Sequence, residues 1–145
     1  PIIAAGGFID GKTMAAAFSL GAEGIQMGTR MVSAAESPVH DNWKNAIVDA
    51  RETGTVFLNK FHSPALRALR TNRTTEMEKA IEENVFGKFG DAQSLYFGGD
   101  MEAAVALSGQ VAGRIDAVRP VTEIIEETAR EFFEAIENLS SNYGS

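Results

Sequence analysis

Apolar residues first gather in two short runs, and each run ends in glycine. Pro1-Ile2-Ile3-Ala4-Ala5 stops at Gly6-Gly7, and Gly24-Ile25-Gln26-Met27 stops at Gly28-Thr29. Runs this short, almost continuously apolar and bounded by turn residues, read as buried strands of a parallel sheet. Between them Lys12 to Leu20 is rich in alanine and closes on Gly21, the pattern of a helix with a glycine stop. Asp10 fits the N-cap of that helix. One strand–helix–strand unit therefore carries a glycine turn at the C-terminal end of each strand. In α/β folds that end of the sheet is where ligands bind. In a (β/α)8 barrel the loops after the last two strands often form a phosphate site.

The pattern beyond Thr29 turns helical. Arg30 to Glu36 reads as a short turn or helix. Ser37-Pro38 predicts a helix with serine as N-cap and an apolar face of Val39, Trp43, Ala46, Ile47 and Ala50, broken at Gly54. Thr55 to Leu58 reads as a strand or an extended lid segment. Ser63-Pro64 repeats the cap signal and predicts a second helix through Ala65, Leu66 and Leu69. Thr75 with Glu78 suggests a capping box for a third, carrying Met77, Ile81 and Val85. Gly87 to Gly99 reads as irregular, and Asp100 caps a brief helix from Met101 to Leu107. The small residues Ser108 to Gly113 suit close packing against a neighbour or a ligand. Arg119-Pro120 leads into a long helix with Val121, Ile124, Ile125, Thr128, Phe132, Ile136 and Leu139 on one side. The polar tail after Leu139 is expected to fray.

Composition narrows the class. The chain has 145 residues, room for a real core but too few for a complete (β/α)8 barrel of roughly 250. It starts on a strand without an initiator methionine, so the expectation is the C-terminal part of something longer. Thirteen basic against 20 acidic residues give a net charge of −7, which argues against nucleic acid or an anionic membrane as a bulk partner. The absence of cysteine excludes disulfides and thiolate metal sites, and no apolar run reaches membrane-spanning length. A soluble, cytoplasmic protein is expected.

Candidate chemistry concentrates at the glycine turns. A phosphate must approach bare backbone N–H groups, and a Cβ would obstruct it. Thr29 adds a hydroxyl, and the segment after it can present helix-terminal N–H groups. Gln26, a polar residue inside an apolar strand, is either satisfied by backbone or set against a heterocycle edge. His40 reads as structural or exposed. His62 is a candidate pocket residue beside Phe61, and the two histidines make no metal site. Arg67, Arg70 and Arg73 recur every three residues. They form either a solvated face paired with Glu76 and Glu78 or a dock for an acidic carrier protein or phosphorylated substrate tail, with the first reading preferred.

The runs Pro1 to Gly11 and Leu20 to Arg30, with Glu36-Ser37 and Pro38 to His40, closely resemble the nitronate monooxygenase family, also known as 2-nitropropane dioxygenases. That family includes the FMN-dependent enoyl-acyl-carrier-protein reductases. Ala65 to Arg70 and Ser108 to Gly113 extend the resemblance. It implies an α/β fold: the C-terminal part of a (β/α)8 TIM barrel, strands seven and eight, with a mainly helical lid insertion. Residues 1–36 would hold the FMN phosphate site, 37–107 the lid or substrate domain, and 108–145 the return to the barrel and the C-terminal helix. Gly7 matches the family's glycine at the FMN phosphate, and Gln26, Met27, Gly28 and Thr29 match its second FMN-binding run. The family's catalytic histidine lies upstream, so no catalytic residue is assigned in this chain.

The function so implied is FMN-dependent oxidation of alkyl nitronates with O2. The alternative is enoyl thioester reduction with NAD(P)H in fatty acid synthesis, with acyl carrier protein as a partner. A barrel of the IMP dehydrogenase type shares the phosphate grip, and a non-catalytic phosphate-ligand binding module is the reading from a different class. The expected partners are the small-molecule substrate and the N-terminal part of the barrel, with a homodimer as the candidate assembly. The isolated chain is expected to be inactive.

Overall fold

The computed structural model describes residues 1–144. The opening unit forms as its pattern predicts. Strand β1 (Ile3–Ala5) pairs in parallel with β2 (Gly24–Gln26), in the register Ile3↔Gly24, Ala4↔Ile25, Ala5↔Gln26. Helix α1 (Gly11–Ser19) makes the crossover. Its N-cap is Asp10 in a reciprocal box with Thr13, whose backbone N–H donates to Asp10 Oδ1 at 2.7 Å. Helix α2 (Thr29–Val32) follows β2 directly.

Helix α1 lies against the last helix of the chain. Gly11 touches the α6 (Val121–Tyr143) backbone at Thr128, Glu131 and Phe132, and its N–H donates to Glu131 Oε2 at 3.0 Å. Phe18 meets Phe132 edge to face at 4.9 Å. Ile124, Thr128 and Phe132 form the buried stripe of α6, whose last turns past Leu139 to Tyr143 are exposed.

The middle segment departs from its expected helices. The helix foreseen from Ser37-Pro38 begins three residues later, as α3 (Asp41–Val48) with His40 as N-cap. The His40 backbone N–H is engaged by the Tyr96 carbonyl at 2.7 Å, while its Nδ1 accepts from Asn42 N–H at 3.1 Å. The apolar face stands: Trp43 and Ile47 are fully buried with Val39, Leu69 and Leu95. Each such side chain contributes about 2–3 kcal/mol by burial.

The helix expected after Ser63-Pro64 is a strand. Helix-spaced apolar residues here also fit a strand, and β4 (Leu66–Leu69) pairs antiparallel with β3 (Thr55–Leu58), so tertiary pairing decides. Asn59 ties the connecting loop together in a left-handed conformation (φ 57°), donating to the Pro64 carbonyl at 2.8 Å and accepting from Val85 N–H at 3.0 Å.

Three further boundaries move. Helix α4 (Asn72–Lys79) is capped by Thr71 and Thr74, not by Thr75 and Glu78, because Glu78 pairs with Arg70; Ile81 and Val85 fall outside it. Helix α5 (Ala92–Tyr96), capped by Asp91, interrupts the stretch read as irregular. The residues after Asp100 do not form a helix. Leu69 N–H donates to the Ala106 carbonyl at 2.9 Å, and Ser108 N–H to the Arg67 carbonyl at 3.1 Å, so this run lies extended along β4. Val56, Leu58, Ala68, Val85 and Val105 make a second small core there. Among the described residues no helix is long and apolar enough to cross a membrane.

Candidate functional site

The register of β1 and β2 puts the two glycine turns at one edge. Gly7 and Gly28 each lie two residues beyond the paired Ala5 and Gln26. Gly6 and Gly7 adopt φ of 92° and 85°, a region that disfavours any residue with a Cβ, and a Cβ on Gly7 or Gly28 would meet no atom within 4 Å. The strand ends therefore present open backbone. Gln26 is exposed at the end of β2, Met27 is half-buried, and Thr29 begins α2.

A third segment closes on this edge. Thr29 Oγ1 accepts the Gly109 N–H at 2.7 Å across 80 positions of sequence, and the 3₁₀ turn Gln110–Arg114 follows. The stretch Ser108 to Gly113, read from sequence as close-packing, thus does pack closely: a Cβ on Gly113 would collide with the Arg51–Glu52 backbone. A cleft of about 410 Å³ results, lined by Gly7, Glu52, Gln110, Val111, Gly113 and Arg114. Glu52, Gln110 and Arg114 had no individual sequence signal, because only the fold brings them beside Gly7. Arg114 Nη2 donates to Asp10 Oδ2 at 3.1 Å, so the carboxylate that caps α1 also holds the rim of the cleft.

Beneath this edge Arg30 is buried and donates from Nη1 to the Ala117 carbonyl at 2.8 Å. Burial first, then the neighbouring Arg119 cation, lower its pKa, while Asp116 and Glu127 act in the opposite direction. Arg119 is itself held by Glu127 at 2.6 Å and by Asp116 at 3.2 Å. The charges balance locally and pin α2 to the segment entering α6.

The remaining candidates lie elsewhere. His40 caps α3, and His62 Nε2 sits 3.0 Å from the Glu82 carbonyl, within the middle segment. The arginine strip is dispersed by the strand that replaced its helix. Arg67 bonds Thr55 Oγ1 at 3.0 Å and lies over the Phe57 ring; Arg70 pairs with Glu78 at 2.8 Å; Arg73 donates to the Lys88 carbonyl at 2.7 Å.

The nitronate monooxygenase family model matches residues 1–131. FabK from Thermotoga maritima superposes with a TM-score of 0.89 at 41% identity, over 97% of this chain and 47% of that one. Nitroalkane oxidase from Streptomyces ansochromogenes gives 0.77 at 26% identity, over 97% of this chain and 41% of that one. Among curated proteins, (3aS,4S,5R,7aS)-5-hydroxy-7a-methyl-1-oxo-octahydro-1H-indene-4-carboxyl-CoA dehydrogenase of Mycobacterium tuberculosis is 29% identical over 97% of this chain and 52% of its own length. A probable nitronate monooxygenase of Staphylococcus aureus is 37% identical over 54% of this chain and 22% of its own length. The chain thus spans about half the length of the relatives that match it throughout. The structural neighbours are TIM-barrel enzymes, and the fold described above is consistent with part of such a barrel. The two-strand edge with its glycine turns and the family match across residues 1–131 lead to one conclusion: the chain belongs to the nitronate monooxygenase family of oxidoreductases.

Proposed function

We propose that the chain forms the phosphate side of an FMN site in an oxidoreductase. The observation that carries this reading is the parallel register that sets Gly7 opposite Gly28 at one sheet edge, with Thr29 beside them. The residues fit the group. Among the described residues, the N–H groups of Gly7 and Gly28 donate to no protein acceptor. Thr29 Oγ1 accepts from Gly109 and keeps its own proton to donate. Gly7, Gly28 and Thr29 would hold the phosphate, while Gln26 and Met27 would border the rest of the cofactor. FMN bound there would accept and pass on the electrons of substrate oxidation or reduction. The chain itself contributes position and access. Residues 1–36 would carry this site, 37–107 would cover it as a substrate-side lid, and 108–145 would return to the barrel.

For the substrate we favour an enoyl or related thioester, reduced with NAD(P)H and delivered by acyl carrier protein or coenzyme A. Two relatives aligned over 97% of the chain support this: FabK at 41% identity, the enoyl-acyl-carrier-protein reductase type, favours the reduction, and the carboxyl-CoA dehydrogenase favours a thioester substrate. Oxidation of a nitronate with O2 is the second reading, favoured by the 37% identity to the staphylococcal protein across the glycine-turn half. Replacing Gly28 by leucine in the full-length protein should abolish flavin retention through gel filtration. Undiminished flavin absorbance would refute the site. NAD(P)H oxidation with an enoyl thioester, assayed beside nitronate-dependent O2 uptake, separates the two substrates.

A further inference from the structure

The proposed phosphate grip has a charge problem. A phosphate monoester near neutral pH carries a charge of about −1.5 to −2, and this chain carries −7. The two glycine turns offer backbone dipoles only. Helix α2, four residues long, adds little of a macrodipole. Among the described residues the cleft beside Gly7 is lined by one cation, Arg114, and one anion, Glu52.

Arg114 is placed by two rigid constraints. It ends the 3₁₀ turn whose N-cap, Gly109, is fastened to Thr29 Oγ1, so its backbone is tied to the glycine-turn edge. Its guanidinium is held through a single nitrogen, Nη2, by Asp10 Oδ2, and Asp10 is itself fixed by capping α1. The side chain is 54% exposed, and Nε and Nη1 make no bond to protein among the described residues. A guanidinium oriented from one side with free donors on the other suits a phosphate oxygen.

We propose that Arg114 reads the phosphate of the flavin and so sets the preference for FMN over riboflavin. This inference rests on the FMN reading above. FMN and riboflavin are titrated separately into the apo form of the full-length protein, wild type, Arg114→Gln and Arg114→Lys, following flavin fluorescence. Arg114→Gln should weaken FMN about tenfold, as expected for one half-exposed charge-assisted contact. Riboflavin binding should stay within about twofold, and Arg114→Lys should recover part of the FMN affinity by restoring charge without the fork. Equal losses for both flavins would mean that Arg114 only holds the loop, and no loss of FMN would remove its role; either result overturns the inference alone. A wild-type protein that binds riboflavin as tightly as FMN would overturn the phosphate site of the proposed function, and this inference with it.

Discussion

Gly11 offers a stringent test of how the barrel-type unit is held to the last helix. A Cβ at this position would overlap the Phe132 nitrogen and the Thr128 carbonyl oxygen, and would lie 2.5 Å from the Glu131 carbonyl carbon. All three are backbone atoms, so no rotamer change relieves the clash. Restoring ordinary contact at 3.4 Å requires α1 and α6 to separate by about 1 Å. Overpacking of this kind costs about 1–3 kcal/mol. The separation also strains the Gly11–Glu131 hydrogen bond and the Phe18–Phe132 contact, each about 1 kcal/mol. Against this, alanine gains up to about 1 kcal/mol of helix propensity over glycine. Gly11→Ala should therefore destabilise by about 3 kcal/mol, a fall in Tm on the order of 10 °C. Urea denaturation followed by circular dichroism gives the value directly. Gly87→Ala is the control, since a Cβ there meets nothing within 4 Å. A Gly11→Ala protein within about 0.5 kcal/mol of wild type, at the resolution of such measurements, would refute the close-packing argument.

Two further predictions concern the middle segment. Asn59→Ala should cost about 3 kcal/mol, because it leaves the Val85 N–H and the Pro64 carbonyl unpaired and places alanine at φ 57°; Asn59→Gly should recover roughly 1 kcal/mol of that by accepting the backbone conformation, and equal stability of both variants in denaturation would count against the account. Asp91 has its pKa lowered from 3.8 by the Ser94 hydroxyl and backbone bonds. The stability its ionised form gives to α5 is thus fully present above that value and is lost as pH falls through the lower folded value. A carboxyl ¹³C titration should show a midpoint below 3.8, shifting upward in Ser94→Ala; a midpoint at or above 3.8 would contradict the cap.

What was legible in the sequence was local. The α1 cap, the glycine stop and the two strands are decided by residues within a few positions of one another, and Asp10 with Thr13 satisfies its own helix end. The misread elements turn on partners far away. Ser37-Pro38 looks like a helix start, but the chain waits until His40, whose backbone is fixed by Tyr96. Leu66 to Leu69 carries apolar residues that suit a helix or a strand equally. Their pairing with Thr55 to Leu58, and with the run near Ala106, removes the ambiguity. Capping residues name the candidates for a helix end; the tertiary hydrogen bonds select among them.

The candidate site divides along the same line. The placement of Gly7, Gly28 and Thr29 at one sheet edge was readable because glycine after a buried strand is a local signal with a physical reason, and the crossover fixes both turns on that edge; that they hold a phosphate is the proposal made above. Gln110 and Arg114 carry no such signal, since neither type is unusual in a loop. They reach the cleft on the returning chain, whose Gly109 N–H is held by Thr29 Oγ1 across 80 positions. A Cβ on Gly109 would come within 3.1 Å of that same oxygen. Gly113, where a Cβ would collide with the Arg51–Glu52 backbone, is the stricter condition for closing the cleft. The glycines expose backbone at the strand ends, and the returning chain, tied to Thr29 through the Gly109 N–H, brings a charged side chain to the cleft beside Gly7.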